Sequence, residues 1–147
     1  MRQRKARRAS GADHSPGARP KVPITICEAV EVSRRDAEGA AAIVKRLGGG
    51  TVVLRLDSQC KYAVVARGQA DAFIRLPVNN AKADWIWDHA PGALIAAEAG
   101  CAATDADSRL YDFSTGKMMT KNRGTVVAPV RLHGRIIGAL RELGLAE

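Results

Sequence analysis

Short β-branched apolar runs alternate with helix-forming segments from Val22 onward, and this alternation limits the chain to a few architectures. Val22–Ala29 is apolar and partly β-branched, as a buried strand requires. Ser33 is a suitable N-cap for a helix over Arg34–Leu47, with Asp36 in its first turn and Gly48-Gly49-Gly50 ending it. Thr51–Leu56 alternates like a half-buried strand, and Ser58–Ala66 suits a short helix closed near Gly68. Ala72–Leu76 reads as a strand stopped by Pro77. A helix is expected over His89–Ala99 with Asp88 as its cap, then strands at Cys101–Thr104 and Thr125–Ala128, and a closing amphipathic helix at His133–Leu143. The pattern predicts a layered α/β domain, a mixed sheet with helices on both faces. Strand order cannot be read from it.

The net charge of +8 belongs mostly to one end of the chain. Residues 1–21 hold seven basic side chains against Asp13 alone, leaving 16 basic and 14 acidic residues for the rest. Residues 1–22 also contain Ser15-Pro16-Gly17 and almost no large apolar side chain, a composition that does not offset the entropy of ordering. A disordered basic tail over 1–22 and a folded domain over 23–147 are therefore expected. The near-neutral body argues against a nucleic-acid protein, although the tail by itself has the charge for unspecific binding. No apolar run is long enough to cross a bilayer. Cys27, Cys60 and Cys101 form no CxxC pair and read as reduced thiols, which places the expected location in the cytoplasm. The Arg-rich start leaves mitochondrial import open.

The most informative stretch is Trp85-Ile86-Trp87-Asp88-His89-Ala90-Pro91-Gly92, followed by Glu98-Ala99-Gly100. It delivers a carboxylate to a helix start, where unpaired N–H groups favour anions and an oxygen ligand can hold a hard cation. Taken alone, Asp88 is a helix cap, His89 a surface side chain, and Trp85 and Trp87 core or lid residues.

This stretch resembles the second signature of the inositol monophosphatase superfamily. Leu56-Asp57-Ser58-Gln59-Cys60-Lys61-Tyr62, Ala70-Asp71-Ala72-Phe73-Ile74-Arg75-Leu76-Pro77 and Asp112-Phe113-Ser114-Thr115-Gly116-Lys117 resemble segments of its 3′(2′),5′-bisphosphate nucleotidase branch, in family order. The resemblance implies the C-terminal half of the sugar-phosphatase fold and a Mg²⁺-dependent conversion of 3′-phosphoadenosine 5′-phosphate to AMP and phosphate. It implies that Asp88 ligates metal and that Ser58, Lys61 and Arg75 contact the nucleotide. Lys and Arg suit this role, since both neutralise phosphate and Arg binds it bidentately.

Several positions depart from the family pattern. Arg34, followed by Arg35, stands where the family has a histidine, and is expected to hold phosphate instead. Cys101 replaces a glycine, Pro91 stands where small residues are usual, and Asn79–Asp84 is unlike the usual connection. The family's N-terminal Glu and its Asp-Pro-Ile-Asp-Gly-Thr-like motif, which carry most metal ligands, have no counterpart here. No catalytic residue is therefore expected within this chain, and little activity from it alone. The partner expected is a missing N-terminal lobe, or a second copy docked on an apolar face. A non-catalytic nucleotide- or partner-binding module is the alternative, and nucleic-acid binding through the tail a third.

Overall fold

The computed structural model describes residues 22–77 and 82–147. The basic tail, apart from Val22, and residues 78–81 after Pro77 lie outside the described residues. The elements follow in the order β1 (Ile24–Glu28), α1 (Arg34–Arg46), β2 (Thr51–Arg55), α2 (Cys60–Ala66), β3 (Ala72–Arg75), a 3-10 turn (Ile86–Asp88), α3 (Ala90–Glu98), β4 (Cys101–Thr104), β5 (Thr125–Pro129) and α4 (Val130–Glu142).

The strands form one sheet in the order β2-β1-β3-β5-β4. β1 runs parallel to β2 and β3, while β5 runs antiparallel to both β3 and β4. The sheet is therefore mixed, as expected. Its two faces follow the two-residue period of the strands. Ile26, Ile74, Val126 and Ala128 face a core shared with Ala40, Ile43 and Val44 of α1 and Ile136, Ile137 and Leu140 of α4. Cys27, Phe73 and Val127 face the other way, against Tyr62 and Val65 of α2 and Ala93 and Ala96 of α3.

Three expectations are corrected. Asp88 is not the cap of α3, because the chain makes a 3-10 turn through Ile86–Asp88 and His89 takes the cap position. α4 starts at Val130, three residues earlier than expected, because Pro129 has no N–H for the ladder and β5 passes directly into the helix. The alternation of β2 buries neither flank: Val52 and Val53 are 47% and 43% exposed, since β2 is an edge strand. By contrast, Ser33 caps α1 as expected, its Oγ accepting from the Asp36 N–H at 3.1 Å. Asp36 also accepts the Leu76 N–H at 3.2 Å, tying the start of α1 to the end of β3.

The long connection from β4 to β5 is organised by Asp105, which is fully buried. Its Oδ1 accepts the N–H groups of Asp107 and Arg109 at 3.0 and 2.8 Å, and its Oδ2 accepts from Asn122 Nδ2 at 3.0 Å. Asn122 in turn accepts the Asp112 N–H at 2.8 Å. Replacing Asp105 with alanine orphans three donors, so Asp105→Ala is expected to lower unfolding free energy by about 2–4 kcal/mol in urea denaturation.

Candidate functional site

The three parallel strands point their carboxyl ends toward one side, where α1, α2 and α3 begin. In open α/β sheets this is where ligands settle. Here it holds a cavity of about 510 Å³. Glu28 at the end of β1, Arg75 at the end of β3, Ser33 and Asp36 at the start of α1, Ser58, Gln59 and Lys61 at the start of α2, and Asp88 and His89 before α3 all line it.

Four of the five residues singled out in the sequence thus meet in one cavity: Ser58, Lys61, Arg75 and Asp88. Arg34 does not join them. It lies on the outer side of α1, pairs with Glu38 at 2.6 Å, and faces a separate groove beside Leu143 and Leu145. The first turn of α1 sends Ser33 and Asp36 inward and Arg34 outward, which the position of Arg34 in the sequence does not show.

Ser58 has a φ of 59°, in the left-handed region that non-glycine residues rarely adopt. Backbone held this way is often found where a ligand is bound. Lys61 crosses Phe73, its ammonium 5.3 Å from the ring centroid. Burial holds its pKa below the ordinary value; Asp57 opposes the shift, and Arg75 adds to it. Arg75 forms an ion pair with Asp84, whose Oδ2 also lies 3.4 Å from His89 Nε2.

His89 is buried, with 4% of its surface exposed, so reading it as a surface side chain is also corrected. Its Nδ1 lies 2.6 Å from the Tyr62 hydroxyl, which is 3.3 Å from that of Tyr111. Burial, then the Tyr111 hydroxyl, hold the Tyr62 pKa far above the ordinary phenol range, so Tyr62 keeps its proton. The other ring nitrogen of His89, Nε2, faces Asp84. Burial first, then Arg75, lower the His89 pKa to about 4 despite the opposing charge of Asp88.

Trp85 and Trp87 stack on each other at 4.8 Å with planes 10° apart, and both are exposed rather than core. Asp112 lies outside the cavity. Its carboxylate takes Ser114 and Lys121, and these bonds hold its pKa well below the usual range.

Sequence reasoning missed Gln59. α3 lacks a side-chain cap of its own, and Gln59 supplies one from across the cavity, accepting the Gly92 N–H at 2.6 Å. The available signal was Gly92, an unfavourable residue inside a helix. A Cβ at Gly92 would lie 2.5 Å from the Tyr62 ring, so α2 and α3 approach as closely as they do only because position 92 is glycine.

Among the described residues, no three His, Cys, Asp or Glu side chains converge to hold a metal ion. Asp88 is an exposed single carboxylate, whereas Mg²⁺ calls for several arranged oxygen ligands. The described residues do not by themselves make a magnesium site.

A family model described as the inositol monophosphatase family matches residues 9–145. The chain belongs to the inositol monophosphatase family. It is 40% identical over 117 residues to a 3′(2′),5′-bisphosphate nucleotidase of Emericella nidulans, a match covering 80% of this chain and 33% of that protein. It is 41% identical over 100 residues to 3′,5′-bisphosphate nucleotidase 2 of Arabidopsis thaliana, covering 68% of this chain and 28% of that one. The chain thus spans about a third of the length of these relatives. Among solved structures, the fold is similar to extragenic suppressor protein suhB from Bartonella henselae, with a TM-score of 0.59 and 18% identity over 86% of this chain and 44% of that one. It is also similar to CysQ from Bacteroides thetaiotaomicron, with a TM-score of 0.53 and 21% identity over 78% of this chain and 40% of that one.

The buried, neutral His89 makes stability depend on pH. Its folded pKa of about 4 lies below the ordinary 6.5, so its contribution is complete above pH 6.5 and is lost as pH falls toward 4. The loss is expected to be about 3 kcal/mol. Urea titrations of the wild type and His89→Gln across this window check it: the variant's curve should be flatter by that amount.

Proposed function

We propose that this chain forms the nucleotide-holding part of a 3′(2′),5′-bisphosphate nucleotidase, a phosphomonoesterase that converts 3′-phosphoadenosine 5′-phosphate to AMP and phosphate. The observation that carries this reading is the meeting of Ser58, Lys61, Arg75 and Asp88 in one cavity at the carboxyl ends of the parallel strands. The relatives named as bisphosphate nucleotidases support the substrate class.

Each side chain has a physical part in the reading. Lys61 and Arg75 bring positive charge to phosphoryl oxygens, and Asp84 holds the Arg75 guanidinium at the cavity's edge. Ser58 offers a hydroxyl from strained backbone, and the stacked Trp85 and Trp87 stand exposed just before Asp88. His89 stays neutral near pH 7, so it adds no charge.

Among the described residues, the cavity is lined by four carboxylates, Glu28, Glu31, Asp36 and Asp88, but only two cations, Lys61 and Arg75. A bisphosphate therefore needs further positive charge, and this gives magnesium its place in the reading, as a source of charge neutralisation when bound. Asp88 is the ligand this chain contributes. The exposed Leu94 and Ile95 on α3, at 62% and 51%, provide an apolar surface for a second lobe or a second copy.

A non-catalytic nucleotide-binding module is the second reading, favoured by the lack of a metal cluster among the described residues. Calorimetry with 3′-phosphoadenosine 5′-phosphate tests the binding shared by both. Binding is expected, weakened roughly tenfold or more by Lys61→Ala and by Arg75→Ala, since charge-assisted hydrogen bonds are worth about 1.5–3 kcal/mol each. Absence of binding by the wild type would overturn both readings. Phosphate release in magnesium buffer should be undetectable for the 147-residue chain alone. Robust release would show that Asp88 has more ligand partners than the described residues supply.

A further inference from the structure

Gln59 has no role in the reading above, yet its side chain touches both sides of Asp88. Its Nε2 donates to the Trp87 carbonyl at 2.8 Å, and its Oε1 accepts the Gly92 N–H at 2.6 Å. The amide orientation follows from its partners, a carbonyl on one side and an N–H on the other. Three residues further along, the Tyr62 hydroxyl meets His89 Nδ1 at 2.6 Å. One stretch of α2 therefore grips the chain at positions 87, 89 and 92, and Asp88 lies between the grips. The same stretch carries Ser58 and Lys61 on the opposing wall of the cavity.

We propose that Gln59 is a positioning residue that sets the separation between the cavity wall bearing Ser58 and Lys61 and the wall bearing Asp88 and His89. This rests on the functional reading above. α3 has no side-chain cap of its own, and Pro91 has no N–H to offer, so the Gly92 amide is the point in its first turn where a neighbouring acceptor takes hold. Gln59 is that acceptor, and its amide nitrogen anchors the preceding turn at the same time. A ligand that spans both walls depends on this carboxamide even though the carboxamide carries no charge to a phosphate.

The test compares the wild type with Gln59→Ala, Gln59→Asn and Gln59→Glu. Two quantities are read: hydrogen exchange at the Gly92 amide by NMR, relative to the core amide of Val126, and affinity for 3′-phosphoadenosine 5′-phosphate by calorimetry. In the alanine variant, and in the asparagine variant that is one methylene too short, Gly92 exchange is expected to rise and affinity to fall, each by about tenfold, with Val126 unchanged. The glutamate variant still accepts from Gly92 but cannot donate to Trp87. It should keep Gly92 protected and show an intermediate affinity. Unchanged Gly92 exchange in the alanine and asparagine variants overturns the proposal, as does faster exchange with full affinity. If alanine loosens Val126 as well, the asparagine and glutamate variants decide by the same two readouts. A wild type that binds no nucleotide overturns the functional reading instead, and Gly92 exchange alone then judges the clamp.

Discussion

The contact between α2 and α3 is the constraint from which the site takes its shape. The Tyr62 ring lies against Gly92 so closely that a methyl group there would collide with it. The Tyr62 hydroxyl reaches past that contact into a buried chain of hydrogen bonds with His89 and Tyr111. A buried phenol requires such a partner, because an unpaired hydroxyl costs free energy in an apolar surround. The approach of the two helices, the burial of His89 and the placing of Asp88 at the cavity follow from this one packing decision.

Much of the fold was legible because its signals are local. Short apolar runs placed β1, β3 and β5, and Ser33 with Asp36 marked the start of α1. β2 misled because alternation reports pattern and not neighbours, and an edge position leaves Val52 and Val53 open. The site was legible in part. The resemblance of the motifs to the family pointed to Ser58, Lys61, Arg75 and Asp88, whose chemistry alone did not single them out, and the fold brings them together. Arg34 misled because a one-residue change of position on a helix turns a side chain by about 100°. Gln59 and the burial of His89 were not legible, since both depend on contacts across 27 or more residues.

The cavity's charge pattern separates two kinds of residue. The Asp36 carboxylate accepts from the Ser33 hydroxyl at 2.7 Å and from the Leu76 N–H at 3.2 Å, and Glu28 lies beside Arg55 at 3.8 Å. Asp36 serves the wall, whereas Glu28 keeps a buried Oε2 without a hydrogen-bond partner among the described residues. The Asp88 N–H donates to the Trp85 carbonyl at 3.1 Å, but its carboxylate takes no hydrogen bond among the described residues, and it stands on a turn fixed from behind. Lys61 and Arg75 face it from two other elements. Asp36 is thus tied into the structure, while Glu28 and Asp88 hold oxygens without hydrogen-bond partners in the same small volume.

The close approach at Gly92 also bears on how this site can change over time. Gln59, Tyr62, His89 and Gly92 form one set of mutual contacts, so their mutational effects will not add. A bulkier residue at 92 is tolerable only with a smaller one at 62. That exchange in turn removes the hydroxyl that keeps His89 satisfied in its neutral form. Viable substitutions must arrive together, and drift at any one of these positions is held in check by the other three.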